Sequence, residues 1–320
     1  MSAKLHAAEG RLRARCARVA LACSVALAGS VAPAAELRAQ GEEPVPVETR
    51  RLRGSAALLV GRGGNVGVSA GSDGIVLIDD QFAPQTPGLL AAAQSLSEEP
   101  LRFVINTHWH GDHTGGNENF GRAGAVIVAH AKVRARMSSE QFMASMNRRV
   151  PPSPAVALPI VTFSEGLSFH LNGDELRVEH VAPAHTDGDS LVKFELANVL
   201  HMGDTFFHGM YPFFDLSSGG SIEGMLAAAE RGLALSDAET QIIPGHGPLA
   251  TRADLQRYRD MLATLIARVR AQVAAGKSLA QTLAAQPSAE FDAANAAGFL
   301  GPADFVGLVY RSLGGTRTER

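Results

Sequence analysis

The 320-residue sequence predicts an α/β protein, an αββα sandwich of two mixed sheets with helices on the outer faces. Three observations point there. Short apolar runs punctuated by glycine alternate with segments of helical spacing. The strand-like runs fall into two halves, the second repeating the first in outline. An amphipathic stretch then closes the chain. With 46% hydrophobic and 19% charged residues, there is ample material for one large core.

The elements follow in chain order. Arg11, Arg13, Arg15 and Arg18 precede the apolar run "VALACSVALAGSVA" (19–32), which is too short to span a bilayer. Ala32-Pro33-Ala34-Ala35 resembles a signal-peptidase site, so residues 1–35 are expected to be a signal peptide directing the protein to the periplasm or outside. Lipoprotein anchoring through Cys23 is the weaker alternative, because only four apolar residues separate it from Arg18. No stable membrane insertion is expected once the leader is removed. Residues 36–54, charged and proline-bearing, read as a linker.

The expected catalytic domain covers 55–250. Its strand-like runs begin with "AALLVG" (56–61), "NVGVSAG" (65–71) and "GIVLIDD" (74–80). Leu89, Leu90, Ala93 and Leu96 then mark a helix, and "FVINTH" (103–108) and "AVIVAH" (125–130) are buried-strand patterns. "RRVPPSPAVALPIVTF" (148–163) reads as a crossing loop that can wall a site. Four more strands follow in "LSFHL" (167–171), "LRVEHVAPAH" (176–185), "SLVKFEL" (190–196) and "VLHMGD" (199–204). A helix through Ile222, Met225, Leu226, Ala229 and Leu233 leads to the last strand, "TQIIPGHG" (240–247). Residues 251–320 form a helical extension expected to pack on the domain, with Leu255, Tyr258, Leu262, Leu265, Ile266 and Val269 on one face.

Composition narrows the function. A formal charge of −3 and 6% aromatic residues argue against a nucleic-acid partner and leave a small-molecule substrate. Both cysteines, Cys16 and Cys23, lie in the leader, so the mature chain has no disulfide and no thiolate ligand. Any metal is held by nitrogen and oxygen.

Those ligands stand in one recurring place. In "FVINTH/WHGDH", "VAPAH/TDGD", "VLHMG/D" and "QIIPG/H" an apolar strand ends and a histidine or aspartate follows. Ligands gather at the carboxyl ends of strands in α/β sheets, so His108, His110, Asp112, His113, His185, Asp204 and His246 converge on one rim. Alternate residues of extended chain put His108 and His110 on the same side. Gly111 permits a turn that aims Asp112 and His113 at a second point nearby. Imidazole and carboxylate suit zinc, and seven ligands suit two ions sharing a carboxylate. Gly115 and Gly116 are read as close backbone approaches where a short helix starts. His130, His170, His180 and His201 sit inside strand patterns and read as structural.

His108-x-His110-x-Asp112-His113, followed by His185, Asp204 and His246, resembles the metallo-β-lactamase superfamily over roughly residues 55–250. The resemblance implies that His108, His110 and His185 hold one zinc, that Asp112, His113 and His246 hold another, and that Asp204 bridges them. The best-known lactamases carry cysteine where Asp204 stands. Asp204 instead resembles the bridging aspartate of glyoxalase II-like, lactonase-like and phosphodiesterase-like members. The expected activity is zinc-dependent hydrolysis of a cyclic or acyclic ester, thioester or lactam by a metal-bound hydroxide, with Asp112 orienting the nucleophile. The alternatives are a class B β-lactamase, an iron sulfur dioxygenase on the same ligands, and a non-enzymatic periplasmic metal-binding protein. The ligand set admits Fe or Mn in one or both sites. His208 and Tyr211, just after Asp204, are candidates for substrate contact. The stretch 205–220 contains no Lys or Arg and is expected to form an apolar wall, leaving Arg148 and Arg149 as the nearest cations. A neutral ester or lactone is therefore favoured over a lactam with its carboxylate.

Overall fold

A computed structural model describes residues 44–315. The expected leader, 1–35, lies outside the described residues. Two sheets stack face to face. The first has seven strands in the order β1-β2-β3-β4-β5-β6-β9. These are β1 (Glu48–Arg51), β2 (Ala56–Val60), β3 (Val66–Gly71), β4 (Gly74–Ile78), β5 (Leu101–Asn106), β6 (Val126–His130) and β9 (Val161–Phe163). Between β6 and β9 stands a separate hairpin of β7 (Gln141–Met143) and β8 (Arg148–Val150). The second sheet runs β10 (Gly166–Leu171), β11 (Asp174–His180), β12 (Ser190–Phe194), β13 (Val199–His201), β14 (Gln241–Ile243) and β15 (Ala250–Thr251).

Period-two alternation builds the layers. Ala56, Leu58, Val76, Ile78, Ile105 and Val128 face inward and pack with Leu176, Val178, Val192, Phe194, Val199 and Ile243 of the second sheet. Their neighbours Ala57, Leu59, Ile75, Leu77, Val104 and Ile127 face outward onto Leu89 and Ala93 of the helix Thr86–Gln94 and onto Phe120. The outer face of the second sheet is covered by the helices Ile222–Ala234, Arg252–Ala274 and Pro302–Ser312 through Met225, Leu262 and Phe305, among others. The protein is thus an αββα sandwich, and the carboxy-terminal helices belong to its core. Thr251 and Asp254 start the long helix with a reciprocal capping box. Among the described residues no helix is long and apolar enough to cross a membrane.

Two expectations need correction. Residues 48–51 were expected in a linker but pair with β2 as an edge strand, with all four residues exposed. An exposed edge strand carries no apolar alternation, which hid it. The proline-rich stretch 148–163 is more than a loop: it contains β8, a single 3₁₀ turn at Ala155–Ala157, and β9, which pairs in parallel with β6.

Strand direction positions the site. β4, β5 and β6 run parallel, as do β13 and β14, and two antiparallel steps set β11 parallel to β13. Their carboxyl ends open onto a common rim, which the side chains described next occupy.

Candidate metal centre

The seven expected ligands meet at this rim in two groups. His108, His110, His185 and Asp204 form one, and Asp112, His113 and His246 the other, each with ligand atoms within 4.8 Å of one another. Asp204 joins them. Its Oδ2 lies 3.4 Å from His185 Nε2 and 3.9 Å from His108 Nε2, while Oδ1 lies 3.1 Å from His113 Nε2 and 3.5 Å from His246 Nε2. Asp112 Oδ2 completes the second group, 3.2 Å from His246 Nε2 and 3.6 Å from His113 Nε2.

Four of the five rings, those of His108, His110, His113 and His185, are aimed by a partner on the far nitrogen, an arrangement common to metal-ligating histidines. His185 Nδ1 donates to the Phe213 carbonyl at 2.8 Å, leaving Nε2 bare. His110 Nε2 faces Asp215 Oδ2 at 3.4 Å. Asp215 is held in turn by Ser217 and Ser218, and Ser218 Oγ accepts from Trp109 Nε1 at 3.2 Å. His113 Nδ1 donates to Asp79 Oδ2 at 2.8 Å. Thr107 donates to both oxygens of Asp79, from its backbone N at 2.7 Å and its hydroxyl at 2.8 Å. With its proton given to Asp79, that hydroxyl accepts from His108 Nδ1 at 3.0 Å. Asp189 fixes the loop after β11, accepting from the backbone N of His185 at 2.7 Å and of Thr186 at 2.8 Å.

Asp79, Thr107, Asp189 and Asp215 were not singled out from the sequence, because a partner of a ligand has no spacing signature of its own. Asp79 did have a signal: it stands just past the end of β4, the same layout as the ligands. It adopts a left-handed conformation (φ 65°), as does Gln81 (φ 56°), at a cost of about 1 kcal/mol or more each. Asp80 N→His113 O at 3.0 Å and Gln81 Nε2→Gly64 O at 2.7 Å pin this turn to the site. Two glycines make room for the ligands. A β carbon on Gly64 would lie 2.1 Å from the His113 ring, and one on Gly245 would lie 2.0 Å from Asp204 Oδ1. Gly115 and Gly116 lie equally close to the turn, with Gly116 N donating to Asp80 Oδ1 at 2.9 Å.

The chemistry of these atoms calls for a cation. His108 Nε2 is buried without a hydrogen-bond partner, and Asp204 Oδ1 makes no hydrogen bond of proper geometry. His185 Nε2 lies 2.7 Å from His110 Nδ1, and two bare lone pairs at that range repel unless a positive charge is shared between them. A tetrahedral ion with bonds of about 2.0–2.2 Å places its ligand atoms roughly 3.3–3.6 Å apart. The separations within the two groups scatter around that value, so the residues fit divalent metal ions. Proton equilibria say the same. Burial drives His185 down to about 4 and, with the neighbouring His113 and His185, holds His108 well below its ordinary value. Burial also opposes charge on His246, yet Asp204 and Asp112 outweigh it and raise that ring to about 10. Without metal, protons supply the positive charge that the carboxylates demand.

A cavity of about 600 Å³ opens over the centre, with Asp112, His110, His185, Asp204 and His246 on its lining. The proline-rich stretch walls it through Arg148, Val150, Pro151, Pro154 and Ala157, and Phe207, Met210 and Phe213 supply an apolar wall. His208 and Tyr211 are not on the lining. His208 bonds the Pro248 carbonyl at 2.9 Å. Tyr211 is buried, stacked on Phe305 at 4.6 Å with its hydroxyl on Asp292 at 2.6 Å. The expectation of substrate contact is corrected for both: the chain turns at Gly209 (φ 76°), and Tyr211 packs into the helical layer. Arg149 is likewise off the lining, paired with Glu140 at 2.6 Å. Arg136, on the lining, is held by Asp187 at 2.6 Å. His130 and His180 stack at 3.8 Å and hold backbone carbonyls, as does His201.

Comparison with known proteins agrees with this geometry. A sequence profile of the Metallo-beta-lactamase superfamily matches residues 59–246. A hydroxyacylglutathione hydrolase of Methylococcus capsulatus is 35% identical over 148 residues, 46% of this chain and 48% of that protein. The alpha subunit of a 2,4-dinitroanisole O-demethylase of Nocardioides sp. is 29% identical over 43% of this chain and 40% of its own length. The chain thus spans less than half the length of these relatives. A metallo-beta-lactamase from Pontibacter korlensis shares the fold, with a TM-score of 0.56 and 19% identity over 68% of this chain and 99% of that one.

Proposed function

The chain belongs to the metallo-beta-lactamase superfamily of metal-dependent hydrolases, and we propose that it is a dinuclear zinc enzyme that hydrolyses an uncharged ester, lactone or thioester. The observation that carries this reading is the pair of ligand groups joined through Asp204, opening directly into a cavity. His108, His110 and His185 would hold one ion, Asp112, His113 and His246 the other, with one oxygen of Asp204 toward each. Zinc in such sites acidifies water to a pKa of about 7 and polarises a carbonyl oxygen.

The protein's own groups do the rest. Asp112 lies on the cavity lining, and its side chain is 28% exposed against 5% for Asp204. It is the carboxylate placed to orient the attacking water. Asp79, Thr107, Asp215 and the Phe213 carbonyl keep the ring nitrogens bare toward the centre. Phe207 and Phe213 exclude bulk water from one side.

The substrate preference rests on charge. A lactam beside a carboxylate needs a cation to anchor it, and of the two arginines on the lining Arg136 is already engaged by Asp187. The name of the M. capsulatus relative, a hydroxyacylglutathione hydrolase, supports hydrolysis of an acyl compound. Arg148 supports a second reading, β-lactamase activity. The amino-terminal sequence supports export to the periplasm or beyond. Metal quantification followed by a panel of lactone, thioester, ester and lactam substrates tests the proposal. A lactam preference above about tenfold, or about 1.4 kcal/mol in transition-state binding, would overturn it in favour of a lactamase.

A further inference from the structure

Beside polar lining groups that include Arg136, Gln141 and Arg148, the cavity has an apolar wall formed by Trp109, Met143, Met146, Met210, Phe213 and Phe299. These come from four separate parts of the chain: the metal loop, the β7–β8 hairpin, the segment after Asp204, and the carboxy-terminal helical region. The wall is continuous from the metal centre outward. Phe213 lies 5.8 Å from the His185 ring and 6.2 Å from His110, and Phe299 meets Phe213 edge-on at 6.0 Å. Phe299 is 68% exposed and Met146 41% exposed. Met210 is fixed close to Gly298, where a β carbon would come within 2.4 Å.

A large apolar surface left open beside polar groups marks a binding site. Methionine walls suit a flexible, unbranched ligand, since their thioethers adapt to it. We propose that the substrate carries a linear acyl chain that runs from the metal centre along Phe213 to Phe299, so that Phe299 sets chain-length preference. This rests on reading the cavity as the substrate site and adds the class of acyl group that it takes. Phe299 lies outside the segment 59–246 matched by the family profile, so this preference is a property of the carboxy-terminal region.

Trp109 is the single tryptophan of the chain and lines the cavity, so its fluorescence reports filling without turnover. The metal-loaded protein is titrated with 1-butanol, 1-hexanol, 1-octanol and 1-decanol, which carry no carboxylate to seize the metals. Binding is expected to saturate and to tighten by up to about fourfold per added methylene. Phe299→Ala is expected to weaken decanol at least about fivefold more than hexanol, and Phe299→Leu to restore part of the difference. Affinity independent of length, non-saturating partition, or an unchanged length profile in Phe299→Ala would overturn the proposal. An ester series of the same lengths separates the two readings. Hydrolysis without length dependence sinks the acyl-chain inference alone, and length-dependent alcohol binding without hydrolysis sinks the hydrolase reading alone.

Discussion

Asp79→Asn is the most informative single substitution, because one carboxylate oxygen steers ligands in both groups. Asp79 Oδ2 accepts from His113 Nδ1 and from the Thr107 hydroxyl, each at 2.8 Å, and that hydroxyl meets His108 Nδ1 at 3.0 Å. In the variant the amide oxygen keeps the Thr107 backbone N–H, which has no other orientation without a donor–donor clash. The amide nitrogen then stands where Oδ2 stood and donates to both partners. His113 Nδ1 becomes an acceptor, so its proton moves to Nε2. Thr107 turns its own proton onto His108 Nδ1, and that ring too protonates at Nε2. Both protons now sit on atoms that must be bare to bind metal. The hydrogen bonds of the neutral rings are remade, but the metal-free protein loses the charge by which Asp79 helps hold His113 protonated and should melt below wild type, while metal affinity falls about 10–100-fold at each group, or about 1.4–2.8 kcal/mol. Competition with a chromophoric chelator measures the affinity, and thermal melts in excess chelator measure the fold. Wild-type affinity for both ions in Asp79→Asn would refute the reasoning.

Other expectations follow from the same geometry. The purified protein should hold close to two equivalents of divalent metal and lose activity reversibly to a chelator; Asp204→Ala should loosen both ions and His110→Ala one, read by metal analysis after dialysis. Arg148→Ala should reduce the ratio of penicillin to neutral lactone hydrolysis by about tenfold or more, the worth of a charge-assisted hydrogen bond; an unchanged ratio removes Arg148 as an anchor. Burial holds His130 and His180 below the ordinary histidine value, His130 also by the charge His180 would carry. Their neutral forms are favoured by folding, so this stability is complete above about pH 6.5 and lost as pH falls through their folded values. Melting temperature should therefore drop on acidification below that point, with a shallower slope in His180→Gln.

The candidate ligands were legible because each follows an apolar run, and a strand end is both a pattern in the sequence and a place in space. The layers were legible because residues such as Leu58 and Leu59 belong to runs long enough to be buried on both faces. What escaped was either too short or too indirect. β1 has no buried residue, and β9 is three residues behind a run of prolines. Asp215 and Asp189 act through the backbone path of loops whose course no periodicity encodes. Tyr211 shows the converse error: adjacency in sequence to Asp204 says little once a left-handed glycine redirects the chain.

Each sheet is built from one part of the chain, the first interrupted only by the β7–β8 hairpin, and the crossing between them is the short exposed turn at Ser164 and Glu165. The centre is divided the same way. His108, His110, Asp112 and His113 belong to the amino-terminal half, and His185, Asp204 and His246 to the other. Neither of the two groups joined through Asp204 lies within one half, since each draws on both. A bound metal would therefore act as a rivet across the molecule's seam, and its capture would report the mating of two halves rather than the formation of either. A chain nicked at that turn would turn the enzyme into its own complementation assay, with activity returning only when both fragments and the metal are present together.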